Sequence, residues 1–451
     1  MGVITITLFL VLSSFSPIVH SQAGTNFTLP CTINTIGNGW NGDIAFDLSG
    51  NASYLAVMNT NGTVLNLRVS AGSSGYNAAY NIADGILMFE GDPEKDVANT
   101  VWGTYATHFW NLSSNTTEDF PNVFSEHDIQ YDPINNTFLT LQDYVKQVGN
   151  NSILFDKIVQ VAPNGAVLWS WDTYNYIPLS EASQYNETST TKINDKTVED
   201  VTHANDLDWD YNAGIIYLNL RVTNTFYKIN QTTGAIIWAC GEFGNFTLLG
   251  ANGQPLVGAN GLPPSLWYHS HDVKEVAPDV FTMFDNDFEN NTNPNDCHSE
   301  MLEVTLNETS MTAYVNWSWE APTQYWTPYG GATLLLPNGD FIGDFGDPSH
   351  QNPQFPQNQP WNFNNTGAVF VEVNPSGQIV RTWTFPVGWY VYRIEAVTNL
   401  TPIATSTPSV SINSQTIILA VLFTAIIVVA AMMVVVFYKS KRNRNHKLMA
   451  K

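Results

Sequence analysis

Three stretches decide the fold: Lys157–Trp171 reads KIVQVAPNGAVLWSW, Tyr227–Gly241 reads YKINQTTGAIIWACG, and Val371–Phe385 reads VEVNPSGQIVRTWTF. Each is a run rich in β-branched and aromatic residues, a turn with one glycine (Gly165, Gly234, Gly377), and a second such run. That pattern predicts two strands joined by a tight turn. The first two stretches also place a tryptophan, Trp169 or Trp238, four residues after the glycine. Leu55–Val69 (LAVMNTNGTVLNLRV) and Leu302–Trp319 (LEVTLNETSMTAYVNWSW) are looser copies. A recurrence of roughly 60 to 80 residues is too long for a solenoid coil and suits a four-stranded propeller blade with long loops.

Working outward, a second hairpin precedes each of these. HDIQYDPINNTFLTL starts at His127, HANDLDWDYNAGIIYLNL at His203, HDVKEVAPDVFTMF at His271 and GATLLLPNGDFIGDF at Gly331. With weaker units near 44–70 and 73–123, six repeats result. The expectation is an all-β fold, a six-bladed β-propeller. Two β-sandwiches in tandem would also supply many short strands, but not hairpins recurring in one order with one ending. Radial repetition protects strand edges without closing a single large barrel.

The repeats put three histidines in phase. His127, His203 and His271 each open an inner strand, and inner strands line the channel of a propeller. Residues some 70 positions apart therefore converge on the axis. A lone histidine at a strand end is ordinarily structural; three in register point to a site. His269, two residues before His271, is predicted to share its face. Asp272 is positioned to orient His271 or to bond a loop backbone. Lys274 is a weaker candidate for helping an anion. His108, His298 and His350 are read as surface residues in polar loops.

Charge and targeting set the surroundings. Asp plus Glu number 40 against 17 Lys plus Arg, a net charge of −23. Nucleic-acid binding needs a basic stripe, so that class of partner is excluded. Val3–Val19 is apolar and predicts a signal peptide over residues 1–21. Thr416–Tyr438 carries no charged residue, long enough for a transmembrane helix, and the basic tail 439–451 behind it is expected to be cytosolic. A Ser/Thr/Pro-rich stalk at 401–415 then joins that single C-terminal transmembrane helix to a domain at 22–400. Fifteen Asn-X-Ser/Thr sequons accompany this layout, so a glycosylated single-pass type I membrane protein is expected, its ectodomain extracellular or luminal. Cys31, Cys240 and Cys297 permit one disulfide at most, and the spacing does not choose it. The oligomeric state is not legible.

The segment HANDLDWDYNAGIIYLNLRVTNTFYKINQTTGAIIWACGEFGNFTL, with LWYHSHDVKEV, FTMFDND, GGATLLLPNGDFIGDFGDP and the terminal WYVYRIEAV, resembles the PAPS-independent arylsulfotransferases, the aryl sulfate sulfotransferase family. The likeness spans roughly residues 120 to 396, and the anchor suggests a membrane-anchored, eukaryotic-type member. The discriminating parts are His203-X-Asn205 with Arg221 eighteen residues on, and His271-Asp272. The resemblance implies a six-bladed propeller and ping-pong transfer of a sulfuryl group from an aryl sulfate donor to a phenolic acceptor, with no cofactor. It implies that His271 becomes transiently sulfated, that His203, Asn205 and Arg221 hold the sulfuryl oxygens, and that His127 assists the phenol.

The residue types suit that chemistry. A neutral imidazole is a competent nucleophile, and attack at sulfur divides one hard displacement into two easier ones. Arginine presents a permanent planar fork to an oxyanion, and Asn adds a neutral donor. Two rival readings use the same positions. One is a non-catalytic cell-surface propeller that binds a ligand or protein, for which the joint presence of His203, Asn205, Arg221 and His271 is unneeded. The other is a zinc site of His127, His203 and His271, which the nearby Arg221 disfavours; no metal is expected. The acidic run Asp285–Asp296 lacks the glycine and spacing of an EF-hand and reads as a solvated loop.

Overall fold

The computed structural model describes residues 29–50, 52–70, 79–91, 105–182, 189–193, 196–258, 263–287, 298–346 and 367–397. The signal segment, the stalk, the apolar run at 416–438 and the tail lie outside them, as do Cys297 and His350. Among the described residues no helix is long and apolar enough to cross a membrane. The described thiols, Cys31 and Cys240, are not joined to each other.

The strands form six sheets, each with a core of four antiparallel strands: a six-bladed propeller. Blade 2 comprises Ala79–Ala83, Ile86–Gly91, Tyr105–Asn111 and Thr116–Ser125. Blade 3 has Ile129–Asp132, Thr137–Val148, Asn151–Val161 and Val167–Asp172. Ala204–Asp210, Ile215–Leu220, Thr225–Asn230 and Ile236–Gly241 build blade 4. Blade 5 runs through His271–Ala277, Val280–Asp285, Glu300–Asn307 and Thr312–Glu320. Blade 6 uses Ala332–Leu335, Phe341–Phe345, Val369–Val373 and Ile379–Thr384.

Blade 1 differs. Asp43–Ser49, Ser53–Asn59 and Val64–Ser70 follow one another, but the inner strand is Ile394–Val397, from the other end of the chain. Phe46 pairs with Ile394 and Asp43 with Val397. A second clasp adds Thr32–Thr35 to the outer edge of blade 6, Ile33 opposite Trp383. The repeat at 44–70 is therefore incomplete by itself. Closure matters because an open ring would expose the apolar faces that blades 1 and 6 bury against each other.

Successive side chains of a strand point to opposite faces, and in the middle of a blade both faces are covered by neighbours. Phe226 joins the apolar cluster shared by blades 4 and 5, whereas Tyr227 and Ile229 enter the cluster shared by blades 3 and 4. Similar clusters fill the other junctions, including Phe46 with Phe370 and Trp383 between blades 1 and 6. This double burial explains the nearly continuous apolar runs at Ile215–Leu220 and Val369–Val373. The turn glycines Gly165, Gly234 and Gly377 have φ of 81, 71 and 81°, the left-handed region that glycine enters without steric cost.

One insertion bears on the site. Between blades 3 and 4 the chain makes a hairpin, Ser189–Ile193 and Lys196–Asp200, whose second strand pairs in parallel with Asn151–Val161. Asp200 lies opposite Leu154 in that register. Val201 packs with Ile153, Phe155 and Val222 beneath it. The hairpin thus delivers Asp200 and then His203 to the mouth of blade 4.

Candidate active site

The inner strands touch those of adjacent blades around the axis, so their first residues share one small region. His127 stands two residues before its inner strand, His203 one before, and His271 is the first residue of its own. His127 and His203 have left-handed backbones, φ 55 and 49°, and in blade 5 it is His269 (φ 61°) and Asp272 (φ 55°) that do. Such angles are uncommon outside glycine and cost of order 1–3 kcal/mol each, so they persist where the surroundings enforce them. The phase of the repeats therefore slips by up to two residues in blade 5.

The predicted residues do meet. The His127 and His203 rings are 4.9 Å apart, edge to face. Tyr392 joins them to the third histidine, with its ring 6.3 Å from both His127 and His271. Arg221 is held to His203 by a backbone bond, its N–H donating to the His203 carbonyl at 3.1 Å, and its guanidinium lies over the Tyr329 ring at 5.2 Å.

His271 has a defined tautomer. Asn286 spends both of its amide hydrogens on backbone carbonyls, Thr327 O at 2.8 Å and Gly330 O at 2.9 Å. Its Oδ1 is thereby turned to His271 Nδ1, 2.6 Å away, and Nδ1–H must be the donor. The lone pair then sits on Nε2, which among the described residues accepts a long bond from the Gly330 N–H, 3.3 Å. Gly330 is itself left-handed (φ 66°), and a side chain there would crowd Tyr390 and Tyr392. His203 is also fixed: its Nδ1 donates to Asp200 Oδ2 at 2.6 Å.

Burial, reinforced by the Arg221 charge, drives the His271 and His269 imidazoles well below their usual range. His127 is driven down likewise, by burial first and then by His203, His271, Arg393 and Arg221. At neutral pH these three rings are uncharged. Among the described residues no group of three or more His, Cys, Asp or Glu is arranged to hold a metal ion.

Several side chains have other tasks than their sequence positions suggested. Asn205 is fully buried, its amide donating to Ser270 O (2.9 Å) while its Oδ1 accepts from Asn219 (2.7 Å). It ties the head of blade 4 to the residue before His271. Asp272 does not orient His271; it accepts from the Thr333 N–H and faces Lys274 (3.2 Å) and Arg393 (3.8 Å). Lys274 is paired between Asp272 and Glu395 rather than poised for an anion. His108 is in a strand of blade 2, stacked on Phe89 and bonded to Asp119, not in a loop. His298 is half-buried beside blade 5, its Nδ1 3.4 Å from Ala321 O.

Arg393 was not singled out by the sequence reading. It occupies blade 1 at the head of the inner strand, and it is 1% exposed. It pairs with Asp128 (3.1 Å) and Asp206 (3.0 Å) and donates to Asn205 O. Its backbone N–H reaches Asp47. Burial and the Asp128 charge push Asp206 well up, whereas Arg393 overcomes burial to hold Asp128 down. Burial also raises Asp47 to about 7 and Asp344 well above its usual range. The signal for Arg393 was its repeat phase, hidden because its inner strand is at the far end of the chain.

The axis gathers three neutral imidazoles, a fourth bonded to a carboxylate, and a guanidinium, a set of groups able to meet an oxyanion. Comparison with known families agrees. Residues 113–393 match the arylsulfotransferase (ASST) family, and the chain belongs to that family. Membership brings aryl sulfotransfer as the general reaction, with aryl sulfate donors and phenol acceptors as substrate classes. No curated protein matches the chain. Solved structures resembling it include a protein of unknown function from Bacteroides caccae, 10% identical, covering 80% of this chain and 100% of that one with a TM-score of 0.42. Others are a nidogen/laminin complex (10% identity, 79% and 98% coverage, TM-score 0.38) and a luciferin-regenerating enzyme (9%, 80% and 97%, TM-score 0.36). Likeness this remote carries nothing about function.

Proposed function

We propose that this protein is an arylsulfotransferase that works by a ping-pong mechanism through a sulfohistidine at His271. The carrying observation is the Asn286–His271 pair, which leaves the lone pair on Nε2. In the first half-reaction that lone pair attacks sulfur and the bond from sulfur to the aryl oxygen breaks. Nδ1–H stays on the ring because its acceptor, an amide oxygen, is too weak a base to take it. In the second, the acceptor's phenolic oxygen attacks the same sulfur and His271 is released. The aryl sulfate is its own activated donor, so no nucleotide is required.

Arg221 meets the sulfuryl oxygens with its fork of donors, in a setting where one preorganised donor is worth about 3–4 kcal/mol. His127 and His203 face the aryl oxygens. Asn205 serves by holding Ser270, and so the backbone that presents His271. Burial keeps His271 neutral, which a nucleophilic imidazole requires. A ligand-binding platform has no use for a histidine held in one tautomer with its second nitrogen uncommitted to any side chain.

We place the propeller outside the cytosol as the ectodomain of a single-pass type I glycoprotein, on the sequons, the apolar run 416–438 and its basic flank. Brief exposure to 4-nitrophenyl sulfate without acceptor, then peptide mass spectrometry, is expected to find one sulfuryl adduct, on His271. An adduct elsewhere, or no turnover with any phenol, overturns the mechanism. A loss of mass on treatment with N-glycosidase tests the compartment.

A further inference from the structure

Ping-pong transfer between two phenols poses a proton problem. The leaving phenolate takes up a proton in the first half-reaction, and the acceptor phenol gives one up in the second. The two events are separated by product release, so a single group on the protein that gives the proton, waits and takes it back serves both. Burial and Arg221 leave His127, His269 and His271 uncharged, with no proton to give.

The geometry points to the Asp200–His203 pair as that proton carrier, with Asp200 as the positioning residue and His203 as the catalytic one. This inference rests on the transferase reading above. Asp200 Oδ2 lies 2.6 Å from His203 Nδ1, so Nδ1 keeps its hydrogen and Nε2 is the atom that exchanges one. Both side chains are largely covered, with 1% and 11% exposure. The His203 ring meets His127 edge to face, and its carbonyl holds Arg221, so the ring stands at the site.

The step balances. His203, with both nitrogens protonated, yields the Nε2 hydrogen to the departing phenolate as the bond from sulfur to the aryl oxygen breaks. It waits as the neutral Nδ1–H tautomer bonded to Asp200. The acceptor phenol then returns a proton to Nε2 as its oxygen bonds to sulfur and the bond from sulfur to His271 breaks. No proton is left over and none is missing.

The surroundings of Asp200 favour this use. The inserted hairpin fixes it by register to Leu154 and by the apolar patch below Val201. Thr202 donates to Asp156, which also accepts from the Ala204 N–H at 3.0 Å, so the segment from Asp200 to Ala204 is tied at both ends. The other titratable groups facing the pair are Asp156 and Glu126, with His127, His269, His271 and Arg221 across the site, and Asp143 lies behind Glu126. Burial raises Asp156 to about 7 and Glu126 well above its usual range, so these neighbours tend to hold protons themselves.

The test uses the full-length protein and two donors that differ in leaving group, phenyl sulfate and 4-nitrophenyl sulfate. A poor leaving group needs the proton; a good one scarcely does. For Asp200→Asn, kcat with phenyl sulfate is expected to fall at least ~100-fold, the lower bound of what general acid catalysis supplies, and with 4-nitrophenyl sulfate by less than ~10-fold. Asp200→Glu should recover part of the loss, and the acidic side of the pH–rate profile should shift in Asp200→Asn. Equal losses with both donors, or none, overturn the proposal while leaving the sulfohistidine intact. If Asp200→Asn fails to fold, His203→Gln is read with the same donor pair under the same criteria. An inactive wild type, or an active His271→Ala, instead overturns the underlying reading.

Discussion

Two clusters share the axis of this propeller and are made by neighbouring residues. His127, His203 and His271 belong to one; Asp128, Asp206 and Asp272, one to three positions later, belong to the other. In the histidine cluster two of the three backbones, those of His127 and His203, take left-handed angles that cost energy. In the carboxylate cluster Arg393 and Lys274 sit among Asp128, Asp206, Asp272 and Glu395, and the carboxylates also take backbone N–H groups from Leu207 and Thr333. Those bonds reach from blade 1 to blades 3, 4, 5 and 6. Under the proposed mechanism one cluster reacts and the other holds the blades at the angle that makes the reaction geometry. The lesson is that adjacent residues at the head of a strand can be divided between chemistry and cohesion by which way the backbone turns them.

The largest separation expected between the two comes from His271→Ala. Loss of the nucleophile should reduce phenol sulfation by at least ~10⁴-fold, in keeping with the cost of deleting a covalent nucleophile, with a stability loss of about 1–3 kcal/mol from the orphaned Asn286 Oδ1. A stability loss as large as that of the ion-pair variant below would mean that the clusters are not separate. The converse change is Arg393→Met, which strands several buried carboxylates. It should cost about 3–5 kcal/mol in urea unfolding, the range for breaking a buried ion pair from one side. An unchanged midpoint would show that the blades are set by apolar packing alone.

Arg221→Lys sharpens the distinction within the reactive cluster. It keeps the charge and loses the fork, and kcat with 4-nitrophenyl sulfate is expected to fall about 10²-fold with little change in stability. Retained activity would mean that a point charge suffices.

The smallest effect is in pH, where the neutral imidazoles and the buried carboxylates that hold protons pull in opposite directions. His127, His269 and His271 titrate below the unfolded value of about 6.5, so the unfolded chain binds more protons there and their contribution is lost as pH falls through that value. Asp206 and Asp344 are raised by burial, and Asp47 to about 7, so the folded protein holds protons that the unfolded chain has released. Their contribution is present below about 4 and is lost as pH rises. Between 4 and 6.5 the two slopes oppose each other, and above 6.5 only the carboxylates remain. Stability measured by urea unfolding should therefore fall from pH 6.5 to 8, and Asp344→Asn should flatten that fall. A rise over this range would contradict the assigned directions.

Much of this was open to reading in the chain. Hairpin signals and glycine turns gave the blades, since strand period and turn chemistry are local, and the histidines were found from repeat phase. Arg393 escaped because blade 1 borrows its inner strand from the far terminus, which no local pattern announces. Asp200 and Asn286 escaped for a related reason. Each acts by the exact partner atom it offers a histidine, and partner atoms are settled by packing, not by spacing. Asp272 was open to two readings, an aid to His271 or a bond to backbone, and the structure has it accept the Thr333 N–H and face Arg393.

The sequence by itself determined the all-β repeat, the number of blades and which residue types reach the axis, because periodicity and phase are properties of the chain. Tertiary structure alone decided which nitrogen of His203 and of His271 carries the hydrogen, which carboxylates bind the blades together, and how the ring is closed. Those depend on distances of a few ångström between segments far apart in sequence, and only burial and mutual packing fix such distances.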